Sequence, residues 1–148
     1  MSKSSVDPAR GLEIDLDPEI SEPQLVDSTK AFVVGRSQIN RVVVSKILEK
    51  TGLRPVSLDP EAALKALHSP IPSTIILDGG PENDDCNALM APLVALRNEF
   101  GKNAVCVLLL LTKALGQDDL ALLPAVDAGV AKPITPEGLM SVLERMRG

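Results

Sequence analysis

From Lys30 onward, short runs of continuous apolar residues alternate with longer stretches in which apolar residues recur every three or four positions. This alternation constrains the fold more than any other feature of the chain. A short unbroken apolar run suits a parallel strand covered on both faces, and the three-and-four spacing suits an amphipathic helix. Ala31-Phe32-Val33-Val34 is the first such run. Ser37 then offers an N-cap, and Ile39, Val42, Val43, Ile47 and Leu48 follow at helical spacing until Gly52. Arg54-Pro55-Val56-Ser57 reads as a short second strand, and its proline predicts a sheet edge. Asp59 caps a second helix with Pro60 at its first position.

The pattern repeats along the rest of the chain. Thr74-Ile75-Ile76-Leu77 predicts a third strand that stops at Asp78. A polar, turn-rich loop over residues 79–87 leads to a helix over 88–100. Val105 to Leu110 is a fully apolar fourth strand ending at Thr112. Gln117 to Val126 predicts a short helix interrupted by Pro124, and Gly129-Val130-Ala131 a short fifth strand. Thr135 caps the last helix, with Pro136 first and Glu137 near the positive end of its dipole. Five strand-then-helix units with right-handed connections make an α/β fold. The expected form is a five-stranded parallel sheet with helices on both faces, and the family resemblance set out below makes its order the flavodoxin-like 2-1-3-4-5.

Charge divides the chain in two. Residues 1–29 hold seven acids and two bases, whereas residues 30–148 hold thirteen of each. The whole formal charge of −5 therefore belongs to an N-terminal segment rich in Ser, Pro, Asp and Glu, which reads as a flexible acidic arm. Within it, Leu12-Glu13-Ile14-Asp15-Leu16-Asp17 alternates as a half-buried strand would, so an added edge strand or a partner-binding segment stays open beside disorder. A neutral body lacks the basic face that phosphate backbones require, and a chain with two Phe, no Tyr and no Trp has no platform for stacking bases. Nucleic acid is excluded as a partner on this ground. The longest apolar run, Ala104 to Leu111, is too short to span a bilayer, and the polar N-terminus lacks a secretory apolar region. Two cysteines give no disulfide framework, and free thiols suit a cytoplasmic protein. Cys106 lies in an apolar strand, and Cys86 is expected to be exposed in its polar loop. The single His68 excludes multi-histidine metal sites and is expected at a helix end or on the surface. Neither a Walker-type phosphate loop nor a dinucleotide fingerprint is present.

In such a sheet, reactive groups collect at the carboxyl ends of the strands. Those ends carry Gly35 and Arg36, then Asp78, then Thr112, then Lys132 followed by Pro133. With Phe32-Val33-Val34, Gln38-Ile39-Asn40-Arg41, Ile75-Ile76-Leu77-Asp78, Leu110-Leu111-Thr112 and Val130-Ala131-Lys132-Pro133-Ile134, residues 30–148 resemble the receiver domain of bacterial two-component response regulators. The resemblance implies that Asp78 is a phosphoacceptor, that Thr112 is the switch hydroxyl on the phosphoryl oxygen, and that Lys132 neutralises its charge. It also implies a histidine kinase, a histidine phosphotransfer protein or another regulator as partner. The first helix and strand-end loops would meet the kinase; the last two helices and the fifth strand would meet output partners.

The departures from the family bear on function. Receivers carry two acids after the first strand that hold Mg²⁺; here those positions are Gly35 and Arg36. Glycine supplies no ligand and arginine brings positive charge, so Mg²⁺ binding is expected to be weak or absent. The family's aromatic switch residue is replaced by Gly129, and the loop after Asp78 has Pro81 three residues on and Cys86 eight residues on, with Glu82, Asp84 and Asp85 between. These departures imply a divergent pseudo-receiver without a cofactor, one that signals by protein contact and is not an enzyme, and the chain stopping after the last helix is read as making it stand-alone. In that reading the Arg36 guanidinium takes the place of the metal and pairs with Asp78. The alternatives are a phosphorylatable receiver using Arg36 and Lys132 as its clamp, and a structural or assembly protein on a flavodoxin-like fold.

Overall fold

The computed structural model describes residues 25–68, 70–81, 84–101, 103–112 and 125–147. Five strands form one sheet: β1 (Val26–Val34), β2 (Arg54–Leu58), β3 (Ile71–Asp78), β4 (Cys106–Leu111) and β5 (Ala128–Ala131). Four α-helices accompany them among the described residues: α1 (Gln38–Glu49), α2 (Pro60–Ala66), α3 (Met90–Phe100) and α4 (Pro136–Arg147). The strand order is β2-β1-β3-β4-β5, the flavodoxin-like order expected, and every pairing is parallel, as the alternation of apolar runs and amphipathic stretches predicts.

Side chains of a strand alternate between its faces, so the continuous apolar runs feed two cores at once. Ala31, Val33, Ile76, Leu108 and Leu110 face α1 and α4, where Val44, Ile47, Leu48, Leu139 and Leu143 close one layer. Phe32, Val34, Ile75, Leu77, Val107 and Leu109 face the opposite way, onto Ala63 of α2 and Leu93 and Leu96 of α3. Both layers are almost wholly aliphatic. Burying each such side chain contributes about 1.5–3 kcal/mol, which makes the central strands the most costly place to remove volume.

The helix caps lie where their residue types predict. Ser37 Oγ accepts from the Asn40 N–H, Asp59 Oδ1 from the Ala62 N–H, and Thr135 Oγ1 from the Gly138 N–H. Pro55 lies on β2, the outermost strand, where a missing N–H costs no internal ladder bond.

The first strand starts earlier than its apolar run, and residues 26–29 belong to it instead of to the acidic arm. Polar contacts compensate for the missing apolar burial there. Asp27 accepts hydrogen bonds from the Thr29 N–H and hydroxyl, Arg54 reaches across from β2 to both residues, and the Ile71 N–H donates to Leu25 O at 2.7 Å. The β1–β3 register shifts between Asp27 and Ala31, so this polar end joins the sheet irregularly. Residues 1–24, including Leu12–Asp17, lie outside the described residues, as does most of the helix expected over 117–126.

β5 is short, and a buried cation holds the chain leading into it. Arg97 of α3 is only 6% exposed; its guanidinium donates to Ala125 O at 2.7 Å and pairs with the Asp127 carboxylate. Asp127 in turn accepts from the Val107 N–H at 2.8 Å, and its own N–H donates to Val107 O. One ion pair thereby joins α3, β4 and the entry to β5. Removing the carboxylate leaves a buried guanidinium without its partner, whereas removing the guanidinium leaves a carboxylate that water reaches. Asp127→Ala is therefore expected to cost about 3 kcal/mol and Arg97→Met clearly less, as measured by urea unfolding.

Candidate functional site

The parallel arrangement brings the carboxyl ends of β1, β3, β4 and β5 to one edge of the sheet. Asp78 is the last residue of β3 and is 4% exposed. Thr112 follows β4 and Lys132 follows β5, whose position is held by the Lys132 N–H donating to Leu111 O. The three residues singled out in the sequence thus meet in space.

Lys132 Nζ donates to Asp78 Oδ1 at 2.6 Å and to Thr112 Oγ1 at 3.3 Å. The Thr112 hydroxyl donates to Gly80 O at 2.8 Å, and the Gly80 N–H donates to Asp78 Oδ1 at 3.1 Å. A closed ring of hydrogen bonds therefore runs from Asp78 through Lys132, Thr112 and Gly80 back to Asp78. The second carboxylate oxygen, Oδ2, accepts from Asn40 Nδ2 of α1 at 2.9 Å. Burial works to raise the Asp78 carboxyl, but the hydrogen bonds from Lys132, Asn40 and the Gly80 N–H outweigh it and hold the group below the usual aspartate range.

Two glycines are required by this geometry. A Cβ on Gly35 would lie 2.7 Å from the Asp78 Cβ, so no side chain fits at position 35 while Asp78 stands where it does. Gly80 has φ +74°, and a Cβ there would meet Asp85 Oδ2 at 2.1 Å. Asp85 lines the same cleft, of about 450 Å³, with Arg36, Asn40, Asp78, Thr112 and Lys132.

The expected Arg36–Asp78 pair does not form. Arg36 turns outward and its guanidinium contacts Glu61 of α2 at 2.9 Å, with the arginine side chain 55% exposed. Lys132 and Asn40 already occupy the oxygens of Asp78, and a half-exposed guanidinium keeps more of its hydration beside Glu61 than it would inside the cleft. Cys86 is also not exposed: it is 1% accessible, its thiol donates to Asp78 O, and burial first, then the charges of Asp78 and Asp85, push it up to about 12. It is a thiol packed under the site, unsuited to oxidation. Gly129 lies in β5 opposite Leu109, and His68 is exposed just after α2. Glu82 lies outside the described residues. Asn40 carries no sequence signal for a role at Asp78 except its place three residues after the Ser37 cap.

The donor set does not suit a divalent cation. Mg²⁺ requires several oxygen ligands in an octahedron, but Asp78 Oδ2 faces an amide N–H, Gly80 O is taken by Thr112, and position 35 has no room for a carboxylate. Among the described residues no three His, Cys, Asp or Glu side chains are placed to hold a metal ion.

No protein-family model matches the sequence, and no curated protein matches it. Solved structures do resemble the fold. The chemotaxis response regulator CheY4 of Vibrio cholerae superposes with a TM-score of 0.62 at 22% identity, covering 81% of this chain and 99% of that one. The receiver domain of a sensor histidine kinase from Pseudomonas aeruginosa, whose structure has a magnesium ion coordinated in the active-site cleft, gives 0.60 at 20% identity, over 82% and 99%. A pilus assembly-related protein from Burkholderia pseudomallei gives 0.61 at 16% identity, over 86% and 95%. The chain has the receiver fold, as its resemblance to that family implies.

A depressed aspartate stabilises the folded state above the pKa of its unfolded form, and this stabilisation is lost as pH falls through the lower folded value. Urea midpoints of the wild type should fall as pH drops through and below the usual carboxylate range, and Asp78→Asn should lack that part of the decline. At neutral pH, Lys132→Met should cost about 2 kcal/mol by leaving Asp78 buried without its cation, and the cost should shrink once Asp78 is protonated.

Proposed function

We propose that this chain is a divergent receiver module of a two-component signalling pathway that acts by protein contact and not by Mg²⁺-dependent phosphoryl transfer. The observation that carries this reading is that donors already engage both oxygens of Asp78. Lys132, the Gly80 N–H and Asn40 already donate to both its oxygens, and the positions beside it carry Gly35 and an outward-facing Arg36. A carboxylate nucleophile needs positive charge on the transferring oxygens. Here Lys132 supplies one such charge, and no second cation stands in the cleft's interior among the described residues.

In this reading the protein works in the cytoplasm, and its partner is a histidine kinase, a histidine phosphotransfer protein or another regulator. It is not itself an enzyme. The described residues contain no helix long and apolar enough to cross a membrane. The receiver domain of the Pseudomonas aeruginosa kinase coordinates magnesium on the same fold, which makes the loss of the acidic pair the informative difference.

Two observations favour other readings. The Asp78–Lys132–Thr112 constellation is complete, which suits a phosphorylatable receiver. The likeness to a pilus assembly-related protein suits a role in an assembly. The deciding experiment is incubation with a small acyl phosphate and Mg²⁺, read by intact mass. The expected spectrum is that of the unmodified chain. A stoichiometric phosphoryl adduct that disappears in Asp78→Asn would establish the phosphorylatable receiver instead.

A further inference from the structure

Asn40 is the third residue of α1, placed by the Ser37 cap. At this position a helix often carries a Glu or Gln that turns back to the cap residue's own N–H. Asn40 turns to Asp78 instead, and donates to Oδ2, the oxygen that neither Lys132 nor the Gly80 N–H touches. We propose that Asn40 is the positioning residue that holds Asp78 in a metal-free arrangement, its amide N–H standing at Oδ2 in the electrostatic role of a divalent ion.

Three observations single out Asn40 within the cleft. Arg36 is committed to Glu61 and makes no contact with Asp78. Lys132 serves only Oδ1 and shares its ammonium with Thr112. Position 35 admits no side chain, because a Cβ there would lie 2.7 Å from Asp78 Cβ. The partial positive charge of an amide N–H suffices at Oδ2 because Lys132 and the Gly80 N–H already neutralise Oδ1. The N-terminal end of α1 adds the same sign of potential. The proposal deepens the reading of the site given above and rests on it only in taking Asp78 as the functional carboxylate.

An isosteric change tests it. Asn40→Asp keeps the shape of the side chain but replaces the donor with a carboxylate facing Asp78 Oδ2. Two carboxylates so close repel unless a cation or proton joins them, and oxygen ligands in that number and spacing favour a divalent cation. Mn²⁺ titration followed by the electron paramagnetic resonance signal of the free ion should show Asn40→Asp binding Mn²⁺ at least about tenfold more tightly than wild type. Equal binding by the two proteins, or no binding by a folded Asn40→Asp, would overturn the proposal.

If Asn40→Asp does not fold, Asn40→Ala serves. Alanine is the better helix former, and the bond to Ser37 uses the backbone N–H of residue 40, so α1 is retained. The Asp78 carboxyl, followed by carbon NMR, should then titrate at higher pH than in wild type, because Oδ2 loses the donor that stabilises its charge. An unchanged titration would overturn the proposal. Both readouts are independent of the intact-mass experiment, so failure of the functional reading and failure of the Asn40 assignment are distinguishable.

Discussion

A carboxylate that is 4% exposed at the end of a central strand is stable only if its surroundings replace the water it has lost. Leaving such a charge unpaired costs several kcal/mol, comparable with a large part of a small domain's whole stability. The architecture around Asp78 answers this requirement. Lys132 arrives from the end of β5, Asn40 from the first turn of α1, and the Gly80 N–H from the turn after β3 itself. Three separate elements must therefore be in place together for one side chain to be tolerated. The Arg97–Asp127 pair belongs to the same requirement, since it holds the chain that enters β5 and so delivers Lys132.

The two glycines at the site show how steric and electrostatic demands combine. Gly35 lets the end of β1 pass against the Asp78 Cβ, and Gly80 leaves space for the Asp85 carboxylate. The missing side chain at position 35 has two effects. It leaves no metal ligand at the end of β1, and it allows the approach of strands that brings Asp78 under the α1 terminus. Arg36 turns outward because Glu61 is available at the surface and the oxygens of Asp78 are already served. The outcome is a site whose polar atoms satisfy one another. Such a closed ring of hydrogen bonds favours one arrangement over an array open to an ion.

Much of this was legible in the chain. Asp78, Thr112 and Lys132 were readable because each ends an apolar run, and in a parallel sheet all such ends lie at one edge. The caps at Ser37, Asp59 and Thr135 were readable because they depend on neighbouring residues. The polar start of β1 was not, because Asp27 and Thr29 resemble loop residues until Arg54 comes alongside from a strand 25 or more residues away. The same applies to Cys86. Its acidic neighbours in sequence suggest exposure, whereas the fold packs it beneath Asp78. Arg36 illustrates the reverse error: its place at the end of the first strand, beside Asp78 in the sheet, suggested a pair, but side-chain direction decided for Glu61.

By itself the sequence determined five strands in a parallel sheet, the aliphatic character of both cores, the three polar residues at the strand ends and the absence of an acidic pair after the first strand. These follow from periodicity and residue type, which act over a few positions. Only the tertiary structure decided how the charges are shared: that Lys132 takes one oxygen of Asp78, that Asn40 takes the other, and that Arg36 takes neither. The physical reason is range. Burial patterns repeat every two or three to four residues and can be read locally, whereas a buried carboxylate draws its donors from whichever elements the fold places within hydrogen-bond distance, here 38 and 54 residues apart in the chain.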